Sequence, residues 1–136
     1  MRNVAGKPNV SRLVLDASAI LAAANNEPGA DFIVAHASDS VVSTVNLAEA
    51  HGKLVQRGVS ESDAWEIELS FCHEVVAFDA VQARIVGGLI SSTRSLGLSL
   101  GDRACLALGM LLKASVYTTD RSWKKLNLNV DIRLLR

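Results

Sequence analysis

Short aliphatic runs recur along this chain, separated by longer stretches of helical periodicity, and that alternation leaves few folds open to it. RLVLD at 12–16, VVST at 41–44, EVVAF at 74–78 and VYTT at 116–119 are rich in β-branched and apolar residues and short enough to be buried strands. Between them lie ASAILAAA, NLAEAHGKLVQ, the segment 79–96 and SLGDRACLALGMLLKA, each with apolar residues spaced for one face of a helix. Strands and helices in this order build a parallel sheet with helices on its faces. The expected fold is α/β and three-layered, a central parallel sheet of four to five strands flanked by helices.

Local signals refine the plan. Pro28 suits the first turn of a helix running to about residue 37, and Gly58 stops the helix that starts near Asn46. Residues 60–73 read as an acidic amphipathic helix capped by Ser60, with Asp63 completing a capping box. Gly87 and Gly88 mark a weak point in the helix over 79–96, which Gly97 ends. The tail RSWKKL gives a short helical turn, and VDIRLL a last edge strand. A chain of 136 residues is expected to form one domain over 1–136, with 1–11 as a flexible extension. Two cysteines, Cys72 and Cys105, are too few for a disulfide framework and form no CxxC, which points to a reducing, cytoplasmic setting. No segment carries the apolar length of a leader or a membrane span.

Ligands of parallel α/β sheets bind at the carboxyl ends of the strands. Asp16 closes the first strand, Glu49 lies a turn into the helix after the second, and Asp120 follows VYTT. Asp102 sits one turn into the helix that begins at Ser99, which brings it to the same edge. Each has a plain alternative as a helix cap: Asp16 and Asp120 at N-cap positions, Asn46 with Glu49 and Ser99 with Asp102 as capping boxes. Asp102 also falls on a largely apolar stripe with Leu98, Cys105, Leu106 and Gly109. Carboxylates gathered in an apolar setting repel one another, and a divalent ion relieves both burdens. With no Cys or His nearby the donor set selects Mg2+ or Mn2+, whose chemistry is metal-assisted phosphodiester hydrolysis.

Charge agrees with a polyanionic substrate only in part. The chain carries 14 basic and 14 acidic residues, so no global basic field exists, but setting the four acids aside leaves ten against 14. Residues 58–80 hold six acids and no Lys or Arg, whereas 121–136 hold five basic residues against Asp131. Aromatic residues at 4% argue against a base-stacking sheet.

The runs LVLDASAIL, VVSTVNLAEAHGKL, LSLGDRACLALG and VYTTDRSWKKL, in this order and spacing, resemble the VapC-type toxin ribonucleases of the PIN-domain family. The resemblance covers nearly the whole chain. It implies a PIN-like fold, an acidic pocket for Mg2+ or Mn2+, and catalytic, metal-binding acids at Asp16, Glu49, Asp102 and Asp120. Asp16 and Asp102 would contact metal, Glu49 would assist or orient water, and Asp120 would stand further out. Ser18, Thr118 and Thr119 would support the carboxylates. The likeness further implies an RNA substrate, a cognate antitoxin that blocks the pocket, and a homodimer.

Other residues receive plainer readings. Arg103, Arg121, Lys124 and Lys125 flank the later acids as candidate RNA or antitoxin contacts. His51 is half a turn from Glu49 and is not expected in the pocket; Cys105 and Trp123 are expected in the core. No GxGxxG or GxxxxGK[ST] follows a strand, and no second Asp stands two residues after Asp16 as in phosphatases that use an aspartyl nucleophile. The remaining alternative is a binding module whose acids serve mainly as caps.

Overall fold

Neighbouring residues of the first strand decide the layering. The computed structural model describes residues 12–136, so the extension expected over 1–11 lies outside the described residues. In β1 (Leu13–Leu15) side chains alternate across the sheet. Leu15 joins a cluster with Ile20, Leu21, Ile33, Leu47 and Leu54, while Val14 joins one with Cys105, Leu106, Leu108 and Trp123. Val42 and Val41 divide the same way in β2 (Ser40–Ser43). The sheet is therefore covered on both faces, which is why these strands read as continuous apolar runs.

Five parallel strands lie in the order β3, β2, β1, β4, β5, with β3 at Glu74–Val76, β4 at Ser115–Thr118 and β5 at Ile132–Leu134. On one face pack α1 (Ala17–Ala24), α2 (Ala30–Ala35), α3 (Thr44–Gln56) and α4 (Glu61–Leu69). On the other packs α7 (Leu100–Leu112), backed by α5 (Ala80–Gly88) through Val86, Ala104 and Ala107. A single turn, α6 (Ile90–Thr93), links α5 to a 3-10 turn at Arg94–Leu96.

Departures from the sequence reading have local causes. Pro28 does not open α2; that helix starts two residues later, after Gly29, whose φ of +100° lies in the left-handed region. The helix expected over 79–96 breaks after Gly88, at the glycine pair named as its weak point, and Gly97 in the left-handed region ends the segment. The acidic helix stops at Leu69 rather than 73, and Ser60 Oγ accepts from the Asp63 N–H without a return bond from Asp63.

That acidic helix is also not wholly solvated. Glu68 is fully buried, and its Oε2 lies 2.8 Å from His51 Nδ1, while His51 Nε2 lies 3.1 Å from Glu61 Oε2. A charged imidazole donates to both carboxylates and ties α3 to α4. The bond to Glu68 raises the His51 pKa above its ordinary value, and burial raises that of Glu68. Both groups hold protons more tightly folded than unfolded. The His51 contribution is thus complete below its ordinary pKa of 6.5 and is lost as pH rises through the raised value, while the Glu68 contribution is complete only below its ordinary 4.5 and is lost as pH rises through its own raised value. Thermal melting between about pH 5 and pH 9 is expected to show a steeper decline for the native protein than for a His51→Gln, Glu68→Gln double variant. His51→Ala alone is expected to melt below that double variant, since it strands Glu68 in the interior.

Candidate functional site

All strands being parallel, their carboxyl ends and the N-termini of the following helices share one edge of the sheet. Asp16 leaves β1 there and caps α1. It is 4% exposed; its Oδ1 accepts from Ser18 Oγ at 2.6 Å and the Ala19 N–H at 2.8 Å, and its Oδ2 accepts from Thr118 Oγ1 at 2.6 Å. Burial outweighs these three bonds and, with the nearby charge of Asp102, raises the Asp16 pKa to about 6. The cost of a carboxylate in an apolar setting thus falls on Asp16, whereas Asp102 is only partly buried.

The other acids arrive from separate elements. Asp102 lies in the first turn of α7, where its Oδ2 accepts from the Ser99 N–H at 2.9 Å and its own N–H donates to Ser99 Oγ, a complete capping box. Asp120 caps the 3-10 turn Arg121–Lys125, its Oδ1 accepting from the Ser122 N–H at 2.9 Å and from Ser122 Oγ at 2.6 Å. The Asp120 N–H donates to Thr118 Oγ1, so one threonine orients both acids. Glu49 caps nothing. Ser43 is the N-cap of α3, and Asn46, expected to pair with Glu49 in a capping box, instead donates through Nδ2 to the Gly101 carbonyl at 3.0 Å.

Asp16, Glu49, Asp102 and Asp120 line one cavity of about 180 Å³, together with Ser18, Leu21, Lys53 and Trp123. A larger cavity of about 570 Å³ opens beside the start of β4, but the acid on its wall, Asp131, is bonded to Ser115 and Arg133. The donors of the smaller cavity are oxygens throughout, which suits a hard divalent ion. Among the described residues, Asp16 keeps one of its roughly four lone-pair sites and Asp120 Oδ2 accepts no bond. Among the described residues no three Asp, Glu, His or Cys groups stand close enough to hold an ion without adjustment.

The hydroxyls behave as expected in part. Ser18 and Thr118 donate to Asp16, while Thr119 contributes its backbone N–H to Ser18 Oγ. Arg103 turns away, its Nη1 donating to the Val86 carbonyl, and Lys124 Nζ donates to the Ile132 carbonyl. Arg121 and Lys125 are exposed. Trp123 is 1% exposed and packs against the core, His51 stays outside the cavity, and Cys105 is buried.

Three contributors escaped the sequence reading. Asn46 braces α3 against α7 by its bond to Gly101. Gly101 leaves the space that Glu49 needs, since a Cβ there would stand 2.7 Å from Glu49 Oε1. Lys53 shares the cavity and lies one helical turn after Glu49, a spacing that sequence does reveal.

Comparison with known proteins bears on this geometry. The PIN domain family matches residues 13–128. Among curated proteins no sequence gives a significant match. The VapBC2 complex of Rickettsia felis bound to a promoter DNA fragment aligns with TM-score 0.71 at 18% identity, over 90% of this chain and 97% of its counterpart. VapC20 of Mycobacterium tuberculosis, a toxin that cleaves the sarcin-ricin loop, aligns with TM-score 0.69 at 16% identity, over 83% and 93% of the two chains. DNA-bound VapBC of Salmonella typhimurium aligns with TM-score 0.71 at 14% identity, over 93% and 100%. At these identities the three share the fold.

Two substitutions test the site's construction. Asp16→Asn removes a buried charge whose shift from 3.8 to about 6 corresponds to about 3 kcal/mol at neutral pH. The variant is expected to melt higher at pH 7, with the gain shrinking as the pH falls below 6 toward 4, because protonation relieves the native carboxylate over that range. Gly101→Ala is expected to preserve the circular dichroism spectrum and melting temperature, since alanine favours a helix, yet to weaken Mn2+ binding several-fold by displacing the Glu49 carboxylate. Isothermal titration with Mn2+ reads that effect.

Proposed function

The chain belongs to the PIN domain family, and we propose that within it this protein is a Mg2+- or Mn2+-dependent endoribonuclease, the toxin of a toxin-antitoxin pair. The observation that carries this reading is the meeting of Asp16, Glu49, Asp102 and Asp120, from four separate segments, around one cavity at the carboxyl edge of the sheet. The fold shared with a toxin that cleaves the sarcin-ricin loop and with DNA-bound VapBC structures supports it.

Asp16, Glu49, Asp102 and Asp120 would hold the ion. When bound, it supplies Lewis acidity that activates water and offsets charge on the leaving oxygen. Asp16, fixed by three donors, is the rigid member of the set. Asp102 and Asp120 use one oxygen each for capping, and the other would serve the ion. Glu49, which among the described residues has only a loose pair with Lys53, would orient the attacking water and take its proton on a carboxylate oxygen. Arg121 and Lys125 serve as outlying phosphate contacts.

An antitoxin and a second copy of the chain are the proposed protein partners, acting in the cytoplasm where RNA is found. Val34, Val55, Trp65 and Leu69 expose apolar surface on α2, α3 and α4 that such partners would cover. Among the described residues no helix is long and apolar enough to cross a membrane. The second reading, a binding module with structural acids, draws on the capping bonds of Asp16, Asp102 and Asp120. Glu49 caps no helix and opposes it.

Purified protein incubated with total RNA and Mg2+ or Mn2+ is expected to produce discrete new 5′ ends, mapped by sequencing. Cleavage should vanish with EDTA and in an Asp16→Asn, Asp102→Asn double variant that remains folded. Unchanged RNA in every reaction would favour the binding module.

A further inference from the structure

Among the described residues, Lys53 is the one lysine or arginine lining the four-carboxylate cavity. Its Nζ stands 3.8 Å from Glu49 Oε2, within ion-pair range but beyond a normal hydrogen bond, and its side chain is half exposed. Such a pair is weak and easily exchanged. Arg103, beside Asp102, donates to the Val86 carbonyl and Lys124 to the Ile132 carbonyl, while Arg121, beside Asp120, is exposed and is not among the residues lining the cavity.

From this arrangement, and resting on the nuclease reading above, we propose that Lys53 exchanges its pairing with Glu49 for a phosphate of the RNA backbone and positions the strand at the cavity. A phosphodiester approaching four carboxylates meets repulsion, so a mobile positive charge on the cavity wall has a specific use. Lys53 supplies it from a flexible four-carbon stem rooted one turn from Glu49. Because its pair with Glu49 is long and half exposed, Lys53 leaves that carboxylate for a phosphate at little cost. The same residue thereby neutralises part of the acid cluster in the free protein and holds substrate in the complex. Lys53 is a binding and positioning residue, with no part in proton transfer.

The test measures RNA binding in the absence of cleavage. A fluorescein-labelled RNA 20-mer of randomised sequence is titrated, at a fixed Mg2+ concentration, with Asp16→Asn protein and with the same protein carrying Lys53→Met or Lys53→Arg. Fluorescence anisotropy is recorded as KCl rises from about 50 to about 200 mM. Loss of one phosphate contact is expected to weaken binding about fivefold near 0.1 M salt and to make the dependence of log K on log salt shallower by about 0.7 in the Met protein. Lys53→Arg, which keeps the charge, is expected to retain both. Binding unchanged by Lys53→Met, with native protein cleaving RNA, would overturn this proposal alone and leave Lys53 as a counter-ion. Weaker binding of the Met protein, with native protein that does not cleave, would uphold the phosphate contact and overturn the nuclease reading. No measurable RNA binding by any of the proteins would overturn the proposal outright. Lys53 is half exposed on a helix and methionine is a good helix former, so both variants are expected to fold.

Discussion

The buried carboxylate of Asp16 is the point on which the site turns. Three donors converge on it, from Ser18, the Ala19 backbone and Thr118, and they join the end of β1, the start of α1 and the end of β4. The network then propagates outward. Thr118 also receives the Asp120 N–H and Ser18 receives the Thr119 N–H, so the loop after β4 takes its course from the same two hydroxyls. Even three hydrogen bonds do not compensate for desolvation, as the raised pKa shows. Burial therefore disfavours the ionised form of the one acid that the hydroxyls hold in place.

Around this anchor the remaining charges are arranged with less rigidity. Capping and ligand binding are compatible roles, because a carboxylate has two oxygens and a helix start requires only one. Asp102 and Asp120 each commit one oxygen to such a cap. Glu49 is free of any cap, and its place depends on the approach of α3 to α7, secured by Asn46 on the Gly101 carbonyl and by the missing side chain at Gly101. Lys53 tempers the cluster from the same helix as Glu49. One acid held by three donors, two held by caps and one loosely paired with a lysine share the lining of a single cavity.

Much of this was legible in the residues. The run RLVLD announces a strand ending on an acid, and SLGDRACLALG announces a capped apolar helix; both stand where the pattern put them. Boundaries moved by one to four residues where local geometry overrode the pattern, as at Gly29 before α2 and at the glycine pair that breaks α5. The inward turn of Glu68 was not legible, because an acid on an acidic helix looks solvated until its partner, His51 on another helix, is known. Arg103 and Lys124 were placed near the site by sequence and away from it by contacts with distant carbonyls.

The sequence by itself determined the class of fold, the strand ends on which Asp16 and Asp120 stand, and the helix starts that present Asp102 and Glu49. Each of these follows from local rules: side-chain periodicity, capping preference and the direction of a helix running back along a parallel strand. Only the tertiary structure decided which acid is buried, which carbonyls claim the arginine and lysine, and that a glycine in α7 makes room for a glutamate in α3. Those outcomes depend on desolvation and on contacts between segments about 20 to 100 residues apart, and neither is encoded in the spacing of neighbours.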